Sequence, residues 1–465
     1  MADTLTAEEW RDRLLDKYAS DLAVRVQSAA YYDNVNTPPA IAPNLAEAYL
    51  RLLGRSKTPW GQLVIDIVAE RLVVQAFAFD GDTENLWRSF RRNRMEFMQK
   101  QVHREALALG TSYASVWPSE KDPNRAKIAY ETGMLVTHET VPGDPHETAA
   151  SLKSWFDPTT SRLRTNLYLP DRVVRYISSK KVDERTMPRP EDGIGQPVHN
   201  VDWDVIETVT NPYGQVTMQP FPVRPDWRGY GVSDIEPVAP VIDRIESITA
   251  NTLLAVELGA FRQKWTTGLE VPRNPETGDP VEPFKAAIDR LWVSEAPDTK
   301  FGAFDATDIR PYLSAVSDAV AQLSAVSRIP TLYFNQSDLS NPPSADSLEA
   351  SETGLINKVR DRQDTLAEAW ERVAGIALQI EGAGEVDEIE VNWRDPRTRS
   401  ESQTMDAATK LQLLGVPWEE VMAFVGYTPG EIARLRTARA ADTFDRLLNT
   451  PLPSATRIEE PASNE

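Results

Sequence analysis

The stretch "FNQSDLSNPPSADSLEASE", residues 334–352, decides how the C-terminal half of this chain is interpreted. A polar segment with two adjacent prolines stands directly before a long run with helical periodicity. Connections inside compact domains usually take about 4–6 residues, and the segment 331–343 takes about twice as many. The pattern therefore predicts a loop that has a role of its own.

The helix after this loop is predicted to be the longest in the protein. Ser344 or Asp346 is a suitable N-cap, and Glu349 follows Asp346 at capping-box spacing. Apolar residues then hold one face over about 55 Å of helix, to about residue 380. They are Leu348, Leu355, Val359, Leu366, Trp370, Val373 and Ala377. A strand at 385–393 and three short helices within 399–448 are predicted to follow.

Two more amphipathic helices are predicted upstream, on either side of an insertion at 263–307. The first lies within 231–262, has Ser233 or Asp234 as its cap, and spans about 28 residues. The second lies within 308–330 and ends at Pro330. The insertion is rich in Pro, Gly and Trp, and one short helix is predicted in it near 283–293.

The first of these helices combines an apolar face with an opposed acidic face. At about 100° per residue, four carboxylates fall within an arc of about 80°. The acidic residues are Glu236, Asp243, Glu246 and Glu257, and the apolar ones are Ile235, Val238, Val241, Ile242, Ile245, Ile248, Leu253 and Val256. An acidic face is ordinarily a solvated surface. Because like charges at helical spacing repel, four carboxylates without a lysine also fit a functional surface.

The N-terminal 110 residues have helical periodicity, whereas 111–222 consists of short β-prone runs. Thr6 and Glu9 form a capping box. A second helix is predicted from Thr58 through Val74, and a third from near Asp82 to Gly110. The whole pattern predicts an α+β fold that is predominantly helical.

Acidic residues outnumber basic ones by 70 to 50, so the formal charge is −20 and the pI about 4.8. This balance argues against a surface that grips nucleic-acid phosphates. The chain has no cysteine, which excludes disulfide and thiolate chemistry. No secretory signal is predicted at the acidic start. No membrane span is predicted either, because Asp66, Glu70 and Arg71 interrupt the most hydrophobic stretch, 62–79.

No motif of catalysis, metal binding or cofactor binding stands out. His103, His138, His146 and His199 lack the paired spacing of metal ligands, so surface or satisfied core positions are the simpler interpretation. The segment "GRSKT" at 54–58 lacks the glycine spacing of a phosphate loop. We therefore predict no catalytic residue, no metal and no cofactor, and the sequence gives no positive reason to call the protein an enzyme.

The order of these parts resembles the portal proteins of long-tailed, siphovirus-type double-stranded DNA bacteriophages. The resemblance covers the whole chain plan, including "GVSDI", "SRIP" and "NPPSADSLEASETGLINKVRDRQDTLAEAWERVAGIAL". Two segments, "RLVVQAFAFDGDTENLWRSFRRNRMEFMQKQVHREALALGTSYASV" and "NWRDPRTRSESQTMDAATKLQLLGVPWEEV", are similar to members from actinobacterial phages. None of these is a catalytic motif, so the resemblance depends on the order of the segments.

The resemblance implies the portal fold, with a wing, stem, clip, tunnel loop and crown, assembled as a ring of twelve subunits in the typical case. The implied divisions are a wing at 1–232, a first stem helix at 233–262, a clip at 263–307, a second stem helix at 308–330, a tunnel loop at 331–343, a spine helix and wing strand at 344–394, a crown at 395–450, and a disordered tail at 451–465. It also implies a place at the capsid vertex of the virion, after assembly in the host cytoplasm.

The implied function is a channel through which the genome is packaged and later ejected. The implied partners are further copies of the chain, the terminase motor, a head–tail adaptor, major capsid and scaffold proteins, and duplex DNA that passes without being held. No membrane partner is implied. The residues expected to face DNA are the acidic stem residues named above and the tunnel-loop residues Asn335, Gln336, Ser337, Asp338, Leu339, Ser340 and Asn341.

Two other classes remain open from the sequence alone. One is another ring component of a virion, such as a head–tail adaptor, and the other is a soluble hydrolase whose site a single sequence does not reveal.

Overall fold

The computed structural model describes residues 5–36, 54–81, 83–182, 201–260, 264–268, 298–303, 308–334, 345–384, 386, 388–397, 401–427 and 429–449. Its longer helices are α1 (Ala7–Tyr32), α2 (Trp60–Ala69), α3 (Thr83–Arg92), α4 (Met95–Leu109), α5 (Ala239–Ala260), α6 (Arg310–Ser327), α7 (Ala345–Ile380), α8 (Glu401–Leu413), α9 (Trp418–Val425) and α10 (Pro429–Asn449). A 3-10 turn lies at Thr331–Tyr333.

The strands within the described residues fall into four sheets. They are β1 (Val74–Ala78), β2 (Thr111–Ser119), β3 (Asp122–Glu131), β4 (Val136–Val141), β5 (Asp144–Asp157), β6 (Arg162–Tyr168), β7 (Arg172–Ser178), β8 (Trp203–Thr210), β9 (Met218–Pro222), β10 (Lys264–Thr267), β11 (Lys300–Ala303) and β12 (Glu390–Trp393). The sheet orders are β1-β12, β10-β11, β3-β2-β9 and β4-β5-β6-β7-β8, and all the pairs are antiparallel. The mixed α+β class and the meander at 111–222 are thus confirmed.

Helix α1 begins at the predicted capping box and lies against the five-stranded sheet. The Thr6 hydroxyl accepts a hydrogen bond from the Glu9 amide at 3.2 Å, while the Thr6 amide donates to the Glu9 carboxylate at 2.7 Å. Leu14 and Leu15 form a small core with Leu152 and Leu167 of the sheet. The helix therefore covers one face of the meander.

The main core lies around the middle of α7, where Trp370 is fully buried. The Trp370 ring meets Phe221 of β9 at 4.7 Å and Phe90 of α3 at 5.3 Å between centroids. Its indole Nε1 donates to His103 Nε2 on α4 at 2.8 Å. The long helix is thus the common support for both the N-terminal helices and the three-stranded sheet.

Two of the predicted N-terminal helices differ from those in the structure. The helix predicted from Thr58 through Val74 ends at Ala69, and Val74 instead opens β1, which pairs with β12. The helix predicted from near Asp82 to Gly110 is two helices, separated where Arg94 takes a left-handed conformation with φ of 59°. Its end at Gly110 is confirmed.

The helix predicted within 231–262 begins at Ala239, later than the predicted cap at Ser233 or Asp234. Pro240 then lies in the first turn, where its missing N–H is not needed, whereas a start at 233 would put it in the helix interior. The helix predicted within 308–330 and the long helix follow their predictions closely, at Arg310–Ser327 and Ala345–Ile380. The helix predicted near 283–293 and the tail at 451–465 lie outside the described residues. Among the described helices, none is long and apolar enough to cross a membrane.

Candidate channel segments and their anchors

Helices α5 and α6 form an antiparallel pair. Near the start of α5, the Arg244 guanidinium donates to the Gln322 side chain close to the end of α6. Beyond the other ends of the helices, Lys264 of β10 is paired with Ala303 of β11. The two helices therefore leave the main core together, and the β10–β11 pair joins them at the far end.

The apolar face of α5 is buried in its first half, but within the subunit's own core. Ile242 and Ile245 are packed in the same cluster as Leu323 of α6. The apolar stripe predicted from the sequence is thus buried within the chain itself over residues 235–245. Further along, Val256 is 47% exposed and Leu313 of α6 is 51% exposed. Exposed apolar side chains are therefore found towards the far end of the pair.

The segment before α5 is fixed to the end of α4 by a close backbone crossing. The Ser233 hydroxyl donates to the Ala108 carbonyl at 2.6 Å, and the Asp234 amide donates to the Leu107 carbonyl at 3.0 Å. A Cβ atom on Gly231 would overlap the carbonyl oxygen of Gly110. Because Gly110 and Gly231 have no side chains, the two segments of backbone can approach each other closely at this crossing.

Asp234 ties this same segment to the long helix. Its carboxylate is 2% exposed and receives Arg362 Nη2 at 2.9 Å and Lys358 Nζ at 3.1 Å. Burial alone would raise the pKa of Asp234, but the two adjacent cations outweigh it and hold the pKa below its ordinary value. The predicted cap residue is thus a buried ionic anchor, which explains why it does not cap α5.

The four acidic residues of the predicted stem face lie in two kinds of surroundings. Glu236, which precedes the first residue of α5 and so is not on the helix as predicted, and Glu257 are both exposed. Asp243 accepts the Tyr31 hydroxyl at 2.9 and 3.0 Å, and Glu246, only 2% exposed, accepts from the Asn36 amide at 3.1 Å. Burial raises the pKa of Glu246. Two of the four carboxylates, Glu236 and Glu257, are therefore exposed. The other two, Asp243 and Glu246, are hydrogen-bonded to residues at or just after the C-terminal end of α1.

The predicted loop residues 335–341 lie outside the described residues, but both flanks of the loop are described. On the N-terminal side, the Tyr333 hydroxyl donates to Glu352 of α7 at 2.5 Å. Arg71, from the turn between α2 and β1, reaches both of these groups, with Nη2 2.7 Å from the Tyr333 hydroxyl and 3.1 Å from the Glu352 carboxylate. One arginine thus holds the two flanks of the loop together.

A family model described as "Phage portal protein, SPP1 Gp6-like" matches residues 45–424. That range takes in nearly all of the helices and strands described above, including the α5–α6 pair and the long helix α7. This chain belongs to the phage portal protein family.

Curated relatives agree with the family. The portal proteins of Mycobacterium phages L5 and D29 are each 25% identical to this chain, over 441 and 443 residues, which is 92% of this chain and 87% of each relative. Their hosts confirm the resemblance to actinobacterial-phage portals. Among solved structures, a chain titled "Virion of native gene transfer agent (GTA) particle" aligns with 88% of this chain and 99% of its own length, at 10% identity and a TM-score of 0.43. That score supports no inference about the fold.

The portal family is structural, which accords with the absence of a recognisable catalytic motif. Two of the portal chain's histidines are buried and hydrogen-bonded, as the sequence suggested: His103 by Trp370 and His138 by the Tyr113 hydroxyl at 2.9 Å. His146 is exposed, and His199 lies outside the described residues. Within the described residues, no cluster of three or more potential metal-ligating side chains occurs.

Sequence reasoning missed the anchoring residues of the portal chain. Arg71, Tyr333 and Glu352 meet across separations of up to 281 residues. No local spacing connects them, since each belongs to a different element. The polar composition of the loop predicted a role for residues 335–341, but it gave no indication that residues on either side of them are anchored.

Proposed function

We propose that identical copies of this portal protein close into a ring, twelve in number as the resemblance implies, at the capsid vertex. The ring forms the channel for genome packaging and ejection. The observation that carries this proposal is the α5–α6 pair, which extends from the core and exposes apolar side chains such as Val256 and Leu313 towards its far end. Burying such residues between neighbouring subunits would favour ring closure.

The channel wall is proposed to include the exposed carboxylates Glu236 and Glu257 of the stem. Duplex DNA carries about one negative charge per 1.7 Å of axis, so basic residues would hold its phosphates while carboxylates leave it free to slide. Asp243 and Glu246 belong to the same acidic face, but their hydrogen bonds to Tyr31 and Asn36 give them an anchoring role within the subunit. The repulsive wall therefore depends chiefly on the exposed pair.

Residues 335–341 of the tunnel loop (331–343) are proposed to project into the channel beside the passing duplex. The support is the fixed position of its flanks, which Arg71 holds together through Tyr333 and Glu352. The loop sequence offers no lysine or arginine, so it would contact DNA without binding its phosphates.

The remaining divisions follow from the same proposal. The clip at 263–307 docks the terminase motor and the head–tail adaptor, the crown at 395–450 lies inside the head, and the wing meets the major capsid and scaffold proteins. Assembly takes place in the host cytoplasm. Negative-stain microscopy of the purified protein tests the ring directly, and a preparation containing only monomers at assembly concentrations would contradict it.

The channel wall is tested by charge reversal in assembled particles. The double variant Glu236→Lys, Glu257→Lys should slow packaging and retain DNA more tightly on ejection. Glu84→Lys, an exposed charge reversal on α3 in the wing, is the matched control and should leave both rates unchanged. If the stem variant packages and ejects like the control, these carboxylates do not line the path of the DNA. Deletion of 336–341 tests the loop separately, since a plain connector would tolerate it without loss of filled heads.

A further inference from the structure

A polar cavity of about 320 Å³ lies where the start of the stem, the end of α6 and the long helix α7 meet. Its walls include the side chains of Arg224, Arg328, Lys358, Arg362, Asp234 and Asp361. Four cations thus face two carboxylates in a chain whose formal charge is −20. The cavity is a local centre of positive charge on an acidic protein.

The buried part of this cavity is not electrically balanced. The side chains of Lys358 and Arg362 are 8% and 7% exposed, and both are paired with the single buried carboxylate of Asp234. Asp361, the second carboxylate, also pairs with Arg362, but it is 70% exposed, so water screens its charge. Arg224 adds a third cation, 3.9 Å from Asp234. Burial, with the like charges of Arg362 and Arg224, lowers the pKa of Lys358, although Asp234 opposes this.

We propose that this cavity binds a small oxyanion, of the phosphate or carboxylate class. Guanidinium groups present paired N–H donors that match two oxygens of such an anion, and an ammonium group adds a point charge. Four cations against two carboxylates leave the cavity with an excess of positive charge, which a bound anion would offset. The phosphates of duplex DNA are excluded, because they are fixed on a bulky backbone and the two buried cations lie beneath the surface.

Two sources of the anion are compatible with this chemistry: free phosphate, and an acidic side chain presented by a second copy of the chain. The unassembled subunit is sufficient to test the pocket itself. The result therefore does not depend on the proposed channel, and a failure here would leave that proposal untouched.

The test is titration of the purified subunit with inorganic phosphate against chloride at equal ionic strength, followed by calorimetry and thermal unfolding. The double variant Arg224→Gln, Arg328→Gln should weaken phosphate binding about tenfold, since it removes two cations from the wall. Asp361→Asn should have the opposite effect and tighten phosphate binding about threefold, because it removes a negative charge that repels the anion. These positions are not fully buried, so the variants are expected to fold.

Arg310→Gln, at the other end of α6, is the matched control and should bind phosphate like the wild type. Equal stabilisation of the wild type by phosphate and chloride, or equal phosphate affinity in all four proteins, would overturn the assignment. Assembled rings then identify the source. Rings that take up phosphate as the subunit does have an open pocket for free anion, whereas rings that do not take it up have a carboxylate from a second copy in place. Both results require the same oxyanion site.

Discussion

His103 is a neutral core side chain whose two ring nitrogens both have partners. Nδ1 is 3.0 Å from the Leu72 carbonyl and donates to it, since Nε2 accepts the indole N–H of Trp370 at 2.8 Å. Burial lowers the pKa of His103 to about 4. In the unfolded chain the same ring takes up a proton below pH of about 6.5. The native state therefore loses stability as the pH falls from about 6.5 towards 4.

His103→Gln should make this acid dependence shallower. Each depressed histidine contributes a slope of up to about 1.4 kcal/mol per pH unit in the window between its unfolded and folded pKa. The free energy of unfolding, measured with urea at several pH values from 4.5 to 7.5, should therefore fall less steeply in the variant, even if it is lower at pH 7.5. His146→Gln, at an exposed position, should keep the wild-type slope. Equal slopes for all three proteins would show that His103 is not neutral in the native state.

Gly231 is a second residue whose identity the fold requires, because there is no space for a side chain at this position. An added Cβ would meet the Gly110 carbonyl oxygen and lie 2.6 Å from the Thr111 hydroxyl. Gly231→Ala should therefore cost about 2–4 kcal/mol of unfolding free energy, as expected for a steric clash with backbone. Gly54→Ala is the matched control, since nothing lies within 4 Å of its added Cβ. The prediction is wrong if the two variants unfold at the same urea concentration.

At the scale of secondary-structure elements, local patterns predicted the long helix α7, helix α6 and the capping box well. They failed where a distant partner decides the conformation. The run through Val74 has helical periodicity, yet the helix ends at Ala69 and the Val74 amide donates to the Gln99 side chain at 2.7 Å. Pairing of β1 with β12, far along the chain, overrides local propensity. Asp234 is a similar case. Its partners Lys358 and Arg362 lie on α7, so the residues next to Asp234 in the sequence give no sign of the pairing.

The arginine that joins the loop flanks gives an element-scale prediction. Arg71→Met should leave the nearly buried Glu352 carboxylate without its cation and release the 3-10 turn at Thr331–Tyr333. Amide hydrogen exchange should then speed up by about tenfold or more in 331–334 and near residue 352, while α4 keeps its protection.

Arg88→Met provides the control for this experiment. Arg88 and its partner Glu84 are both exposed, and the closest approach of the pair is 3.8 Å, so its loss should not change exchange at the loop flanks. Unchanged protection at 331–334 in the Arg71 variant would show that the flanks are held by packing, for example by Phe334 against Trp60, and not by the arginine.

At the scale of the whole molecule, the order of parts along the sequence was enough to suggest the family, and the family match confirms it. The assembly was not predictable in the same detail. The acidic and apolar faces of α5 were assigned from the helical wheel alone, whereas the structure buries Glu246 and places Ile242 in the subunit's own core. A helical wheel shows in which direction each side chain points, but it does not show what packs against the helix on that side.

The proposed ring gives a prediction at this scale. The double variant Val256→Asp, Leu313→Asp places charges on the exposed apolar part of the stem pair and should yield folded subunits that do not close into rings. Sedimentation velocity measures the assembly, and circular dichroism with urea unfolding checks the fold. The conservative variant Val256→Ile, Leu313→Met keeps the surface apolar and should assemble. Normal rings from the aspartate variant would place the subunit interface elsewhere.

The pairing of β1 with β12 also sets the order of events during synthesis. More than 300 residues separate the two strands, so at about 5–20 residues per second the ribosome needs about 16–60 s to deliver the second after the first. Until then, β1 has an uncovered edge that could pair with other nascent chains. Each polypeptide must therefore be almost fully translated before this two-stranded sheet can form.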